Sequence, residues 1–148
     1  MLPIPRQELD EVLFDALRAI YRFEQMKVAR FSLNFDAVYL LQFLRRHGPA
    51  RIQQIAAEMH IPVSSGTRLV DRLEKTQLVK REKGEKDKRQ IWVSLTTMGE
   101  EKVKSVDEHS YTVLINNLER HNYSASEVDS FVKTAVHLSH LLDVSGFL

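Results

Sequence analysis

Residues 62–95 read PVSSGTRLVDRLEKTQLVKREKGEKDKRQIWVSL, and few arrangements accommodate that order of residues. Behind Pro62, which cannot sit inside a helix, Leu69, Val70 and Leu73 recur at helical spacing. A helix over 63–76 with those three side chains turned inward is therefore expected. Residues 78–81 and 91–95 are short runs rich in Leu, Val, Ile and Trp, and read as strands. The loop between them, 82–90, is crowded with Lys83, Lys86, Lys88 and Arg89 against Glu82, Glu85 and Asp87, and Gly84 suits the positive φ of a turn tip.

The residues before this stretch complete a helix pair. Ile52, Ile55, Ala56 and Met59 define a short helix, and His60-Ile61-Pro62 breaks it. Two short helices joined by such a break, the second with a polar outer face, form a helix-turn-helix. With the charged hairpin after it, the order is that of a winged helix-turn-helix, mainly α with a small β wing. Upstream, FDAVYLLQFL (35–44) is apolar nearly all round and reads as a buried scaffold helix. Asn34 or Asp36 can cap its start, and Gly48-Pro49 stops it.

Three amphipathic helices flank this module. Residues 9–31 carry Leu9, Val12, Leu13, Ala16, Leu17, Ile20 and Phe23 on one stripe. Thr96 or Thr97 can open a second helix, whose inward positions include Val103, Val106, Val113, Leu114 and Leu118. Ser124 and Glu127 form a capping box for a third, with Val128, Phe131, Val132, Ala135, Leu138 and Leu142 along one side. A central module of about 60 residues cannot bury three such stripes, so they are expected to pack on a second copy of the chain. The expected division is an N-terminal dimerisation helix (1–33), a DNA-binding winged helix-turn-helix (34–95) and C-terminal dimerisation helices (96–148).

Net charge of +1 conceals a division along the chain. Residues 1–44 hold 5 Lys and Arg against 6 Asp and Glu, residues 45–95 hold 12 against 6, and residues 96–148 hold 4 against 8. The positive charge lies in the middle third, as expected where one module faces a polyanion. The absence of Cys excludes disulfides, thiolate metal sites and thiol redox switching. No apolar run approaches the ~20 residues a membrane span requires, and the N-terminus lacks the features of a secretory signal, so a cytoplasmic location is expected. No Gly-rich phosphate loop, paired-carboxylate motif or nucleophile signature appears, so catalysis is not expected, nor is a cofactor.

The DNA-facing candidates follow from chemistry and position. Ser64, Ser65, Thr67 and Arg68 crowd the first turn and a half of the second helix, where a recognition helix meets base edges. Hydroxyls can donate or accept toward several bases, and Arg suits the two acceptors of guanine. Arg72 lies one turn beyond Arg68. One serine can equally serve as an N-cap. Gly66, which costs about 0.8–1.0 kcal/mol against Ala in a helix interior, fits a close approach to sugar-phosphate or to a neighbouring helix, or simple tolerance in a short helix. The loop's Lys86, Lys88 and Arg89 can reach phosphates, while Asp87 is expected to hold an arginine at the base of the loop.

The run TRLVDRLEKTQLVKR (67–81), then Asp87-Lys88-Arg89, then VSLTTMGEE (93–101), resembles the multiple antibiotic resistance regulator (MarR) family of bacterial transcription factors. The resemblance implies a homodimer that binds a near-palindromic operator on double-stranded DNA, usually represses, and is released by a small-molecule effector. By position it implies that Ser64, Ser65, Thr67 and Arg68 read the major groove and that Arg89 is the wing arginine. Asp87 becomes its structural partner, paired with Arg72 or Arg89, and Arg51 and Gln53 fall where the first helix meets phosphate. Val63, Gly66 and Lys88 depart from the family pattern, so base preference does not carry over, and Lys88 loses bidentate geometry. Without Cys, the thiol-oxidation branch is excluded.

Tyr21, Phe35, Tyr39 and Leu41 can line an apolar effector pocket between the two regions, and core packing accounts for them equally well. Three other readings stand beside the sequence-specific regulator: a non-specific architectural DNA binder, a protein-interaction module, and a metal-responsive member. Only His137 and His140, of six histidines, share a helix face at i, i+3, and no matched carboxylate accompanies them, so a metal site is not expected.

Overall fold

The computed structural model describes residues 3–145. Its elements run α1 (Arg6–Phe31), α2 (Phe35–His47), α3 (Ile52–Glu58), α4 (Val63–Lys75), β1 (Val79–Lys83), β2 (Ile91–Leu95), α5 (Thr97–Arg120) and α6 (Ala125–Leu141). They form two compact units, one ending at Glu108 and the other beginning at His109.

In the first unit, helices α2, α3 and α4 close on an antiparallel pair of strands. Leu40, Leu41, Ile55, Leu69, Val70 and Val93 form the centre of the core, each no more than 2% exposed. The predicted inward set of α4 is the observed one, Leu69, Val70 and Leu73, and Asn34 supplies the α2 cap, its side chain accepting from the Ala37 N–H at 2.8 Å. Strand β1 pairs with β2 in the register Val79↔Leu95, Arg81↔Val93 and Lys83↔Ile91. Ala50 adds a third rung: its N–H donates to Val93 O at 3.0 Å and its carbonyl accepts from Val93 N–H at 2.8 Å. The segment before α3 is thus tied to the middle of β2. No helix among the described residues is long and apolar enough to cross a membrane.

Helix α5 begins inside this unit. Thr96 caps it, its hydroxyl accepting from Gly99 N–H at 3.0 Å, and Val103 joins the core cluster. Asp107 accepts from Gln42 Nε2 at 2.7 Å and Arg45 Nη1 at 3.3 Å. The packing boundary therefore falls within α5 and not ahead of it.

Helix α1 packs against α2 and buries Lys27, which the periodicity gave no reason to expect. Its ammonium sits 2.6 Å from Glu24 and 4.9 Å from the Phe23 ring centroid, so the buried charge is paired. Much of α1's apolar stripe is uncovered: Val12 is 59%, Leu17 63% and Ile20 54% exposed. In the second unit α6 opens with the expected capping box, Ser124 Oγ accepting from Glu127 N–H at 3.2 Å, yet buries no residue along its length.

Candidate nucleic-acid interface

The chain enters α4 through Pro62, whose carbonyl accepts from the N–H groups of Ser65 and Gly66 at 2.9 and 3.1 Å. No side chain caps this helix, so neither serine serves as the N-cap. Its leading N–H groups and the positive end of its dipole are left to an approaching anion. Ser64, Arg68 and Arg72 are exposed, whereas Ser65 and Thr67 are half-buried. Arg68 Nη2 donates to Ser65 Oγ at 3.4 Å, and Thr67 Oγ1 donates back to Val63 O at 3.0 Å. Thr67's hydroxyl proton is thereby engaged within the helix, leaving its oxygen only as an acceptor. A cleft of about 330 Å³ is lined by Ser65, Arg68, Leu69, Arg72, Asp36 and Ile61. Gly66 is buried on the opposite side, where a Cβ would lie 3.6 Å from Ala56 Cβ. An alanine there would meet α3 at ordinary van der Waals distance.

In the loop, Asp87 Oδ1 accepts from Arg89 N–H at 3.0 Å and from Arg89 Nε at 3.3 Å. Of the two partners open to it, Asp87 takes Arg89, and it does so locally, leaving that guanidinium 93% exposed. Lys86 and Lys88 are exposed beside it. Gly84 does not adopt the positive φ expected of a turn tip; among the described residues Gly48 is the glycine that does. A Cβ on Gly84 would instead lie 2.7 Å from the Asp87 carbonyl oxygen, so the position requires room. Glu82 is paired with Lys80 at 2.6 Å, which reduces the acidity the loop presents.

Arg51 packs toward β2. Its guanidinium lies over the Trp92 ring at 5.7 Å, and Nε is buried without a hydrogen-bond partner. The side chain connects the start of α3 to β2, a packing role, while Gln53 remains exposed. Arg81 is the residue that sequence reasoning missed. Asp71 and Glu74, together with Arg72, read as a charge cluster on the helix surface, but their partner comes from β1: Arg81 Nη2 donates to Asp71 and Nη1 to Glu74, both at 2.6 Å. Burial alone would lower the guanidinium's pKa; the bonds to Asp71 and Glu74 outweigh it and hold it above its usual range.

Residues 36–91, from α2 to the start of β2, match the model of the MarR family. The family match thus covers the helix-turn-helix and the first part of the hairpin. The HTH-type transcriptional regulator MgrA of Staphylococcus aureus is 26% identical over 96 residues, 64% of this chain and 65% of its own. YfiV of Bacillus subtilis strain 168, also described as an HTH-type transcriptional regulator, is 31% identical over 90 residues, 61% of this chain and 56% of its own. This chain thus matches just under two thirds of the length of MgrA. The structure of a MarR family protein from Bacillus stearothermophilus has the same fold, with a TM-score of 0.82 at 24% identity over 92% of this chain and 94% of that one.

Of the four residues suggested for an effector, Phe35 and Tyr39 meet, their ring centroids 6.4 Å apart, while the others differ in burial. Leu41 is fully buried in the core, whereas Tyr21, Phe35 and Tyr39 are 62%, 49% and 38% exposed. Tyr39 donates its hydroxyl to Glu58 at 2.8 Å, which raises its pKa. His137 and His140 both lie exposed on α6, and no group of three or more His, Cys, Asp or Glu is placed to hold a metal among the described residues. The second unit has an apolar cavity of about 420 Å³, its lining including Tyr111, Leu114, Leu118, Tyr123, Phe131 and Val132. Sequence periodicity marked several of these residues as inward but gave no sign of a cavity.

Proposed function

We propose that this chain is a DNA-binding transcriptional regulator that reads its site with α4 and steadies the contact with the β1–β2 wing. The observation that carries the reading is the exposed Ser64, Arg68 and Arg72 on an uncapped helix, in the same unit as the exposed Lys86, Lys88 and Arg89. Arg68 and Ser64 are assigned to base edges, Ser65 and Thr67 to shorter-range contacts at the helix start, and Arg72 with Gln53 to phosphate. Arg51 supports the wing through Trp92 and contributes charge from a partly covered position. Asp87 braces Arg89.

The regulator acts as a homodimer on a near-palindromic operator in the cytoplasm, joined through α1, the part of α5 beyond Glu108, and α6. Uncovered apolar side chains on those elements support this assignment, among them Leu17 at 63% and Phe131 at 65% exposure. Repression relieved by a small-molecule effector is the expected mode of control, and no catalytic step is assigned.

Mobility shift against the gene's own upstream region tests the reading. A discrete complex that outlasts excess unrelated duplex is the expected result. Binding that ignores sequence and collapses steeply with salt would indicate an architectural binder instead. In the same assay Arg68→Ala should cost about 1–3 kcal/mol and relax discrimination, while Lys86→Ala should weaken every duplex alike. Equal loss on all duplexes from Arg68→Ala would remove it as a base reader.

A further inference from the structure

We propose that Arg81 is a positioning residue for base reading: it fixes the rotation of α4 against the wing by holding Asp71 and Glu74 together. The inference rests on the DNA-binding reading above and concerns a residue with no expected place on the DNA.

Asp71 and Glu74 are three apart on a helix and share a side, so one guanidinium can meet both. Arg81 does so with its two terminal nitrogens, at 2.6 Å each, while its own side chain is 26% exposed against 47% and 43% for the carboxylates. A single ion pair would act as a swivel. A fork that grips two points along the helix axis resists both rotation and sliding.

The far end of the fork is anchored as well. Arg81 stands opposite Val93 in the ladder, and Val93 is bonded in both directions to Ala50 just before α3. The guanidinium thus refers α4 to a three-segment platform at the middle rung of the hairpin.

Magnitudes favour a geometric role over an energetic one. Partly exposed ion pairs contribute little to stability. Base reading is far less tolerant. At a side-chain radius of about 5–6 Å, a turn of about 20° moves a contact by about 2 Å, well beyond the spread of hydrogen-bond lengths. Arg68 and Arg72 lie on the same helix as Asp71, so any such turn carries them with it.

Electrostatics alone predicts the opposite outcome on removing the acids, which separates the two accounts. The full-length chain is used to select duplexes from a random-sequence pool, and affinity is then measured on the recovered duplex and on a scrambled one across a salt series. Asp71→Asn combined with Glu74→Gln raises net charge by two at almost constant shape. The positioning role predicts about a tenfold loss on the recovered duplex, no loss on the scrambled one, and an unchanged salt slope. Arg81→Lys, which keeps the charge but cannot fork, should show a smaller loss of the same kind, and thermal unfolding confirms that each variant is folded. Affinity rising on both duplexes, or discrimination equal to wild type, would overturn the positioning role while leaving DNA reading intact. A pool that stays random after selection by the wild-type chain would overturn the DNA-binding reading and this inference with it.

Discussion

A Cβ added to Gly99 would collide with the backbone carbonyl of Leu78, which cannot yield without pulling β1 out of register. One added to Gly66 would meet only Ala56, at ordinary van der Waals distance. These two glycines should therefore respond oppositely to the same substitution. Gly99→Ala should lower the unfolding temperature sharply or prevent folding. Gly66→Ala should raise stability by about 0.8–1.0 kcal/mol, the helix-propensity difference, in a denaturant titration. The second variant also resolves why Gly66 is there. If only α3 needs the room, DNA affinity survives; if the backbone approaches sugar-phosphate, affinity falls although stability rises. Glycine content was a poor guide to the turns themselves. Ser32, His60, Gln77 and Asn122 take the left-handed conformation at four helix ends, so the reading that placed Gly84 in that region used a rule these turns do not follow.

Individual elements were legible to the extent that their signals are local. Helix α4 with its inward Leu69, Val70 and Leu73, the hairpin, and the Ser124–Glu127 box all follow from spacing or from neighbours three residues apart. The Arg81 fork was not legible, because it joins residues seven and ten positions apart across two different elements. The packing of Arg51 on Trp92 was hidden for a similar reason: whether a cation meets an indole depends on where β2 passes. Leu41 is different, since its separation from Tyr39 was available in the 3.6-residue period, which sets residues i and i+2 about 200° apart around the helix. At the start of α6, Glu127 accepts from Ser124 N–H and from Ser124 Oγ, both at 2.8 Å. The backbone bond first, then the hydroxyl, holds its carboxyl below the usual glutamate range. A carboxyl depressed in the folded state stabilises fully above its unfolded pKa and loses that contribution as pH falls through its folded value. Helicity followed by circular dichroism should therefore decline on the acid side of the ordinary glutamate range, and Glu127→Gln should flatten this component. An unchanged acid profile in that variant would show that the box contributes little.

For the molecule as a whole, burial and charge tell a consistent story. The middle third carries 12 cations against 6 anions, and the segments on either side carry the uncovered apolar stripes. Charge division and stripes were both visible in the sequence, because each is a sum over many residues and survives errors at any one. Chain-on-chain association is the direct expectation from an α6 that buries nothing of its own. Sedimentation should give a two-chain species, and Phe131→Glu should shift it toward one chain while lowering affinity for a two-half-site duplex more than for a single half-site. A one-chain wild type at micromolar concentration would count against the dimer.

Trp92 is the only tryptophan in the chain, and it stands in β2 beneath the Arg51 guanidinium. Light absorbed by indole in this protein is therefore emitted from one address, half-buried in the wing one rung from its loop. The chain carries its own fluorophore where the proposed contact with DNA would disturb it, so docking of the wing can be timed in stopped flow without attaching a dye.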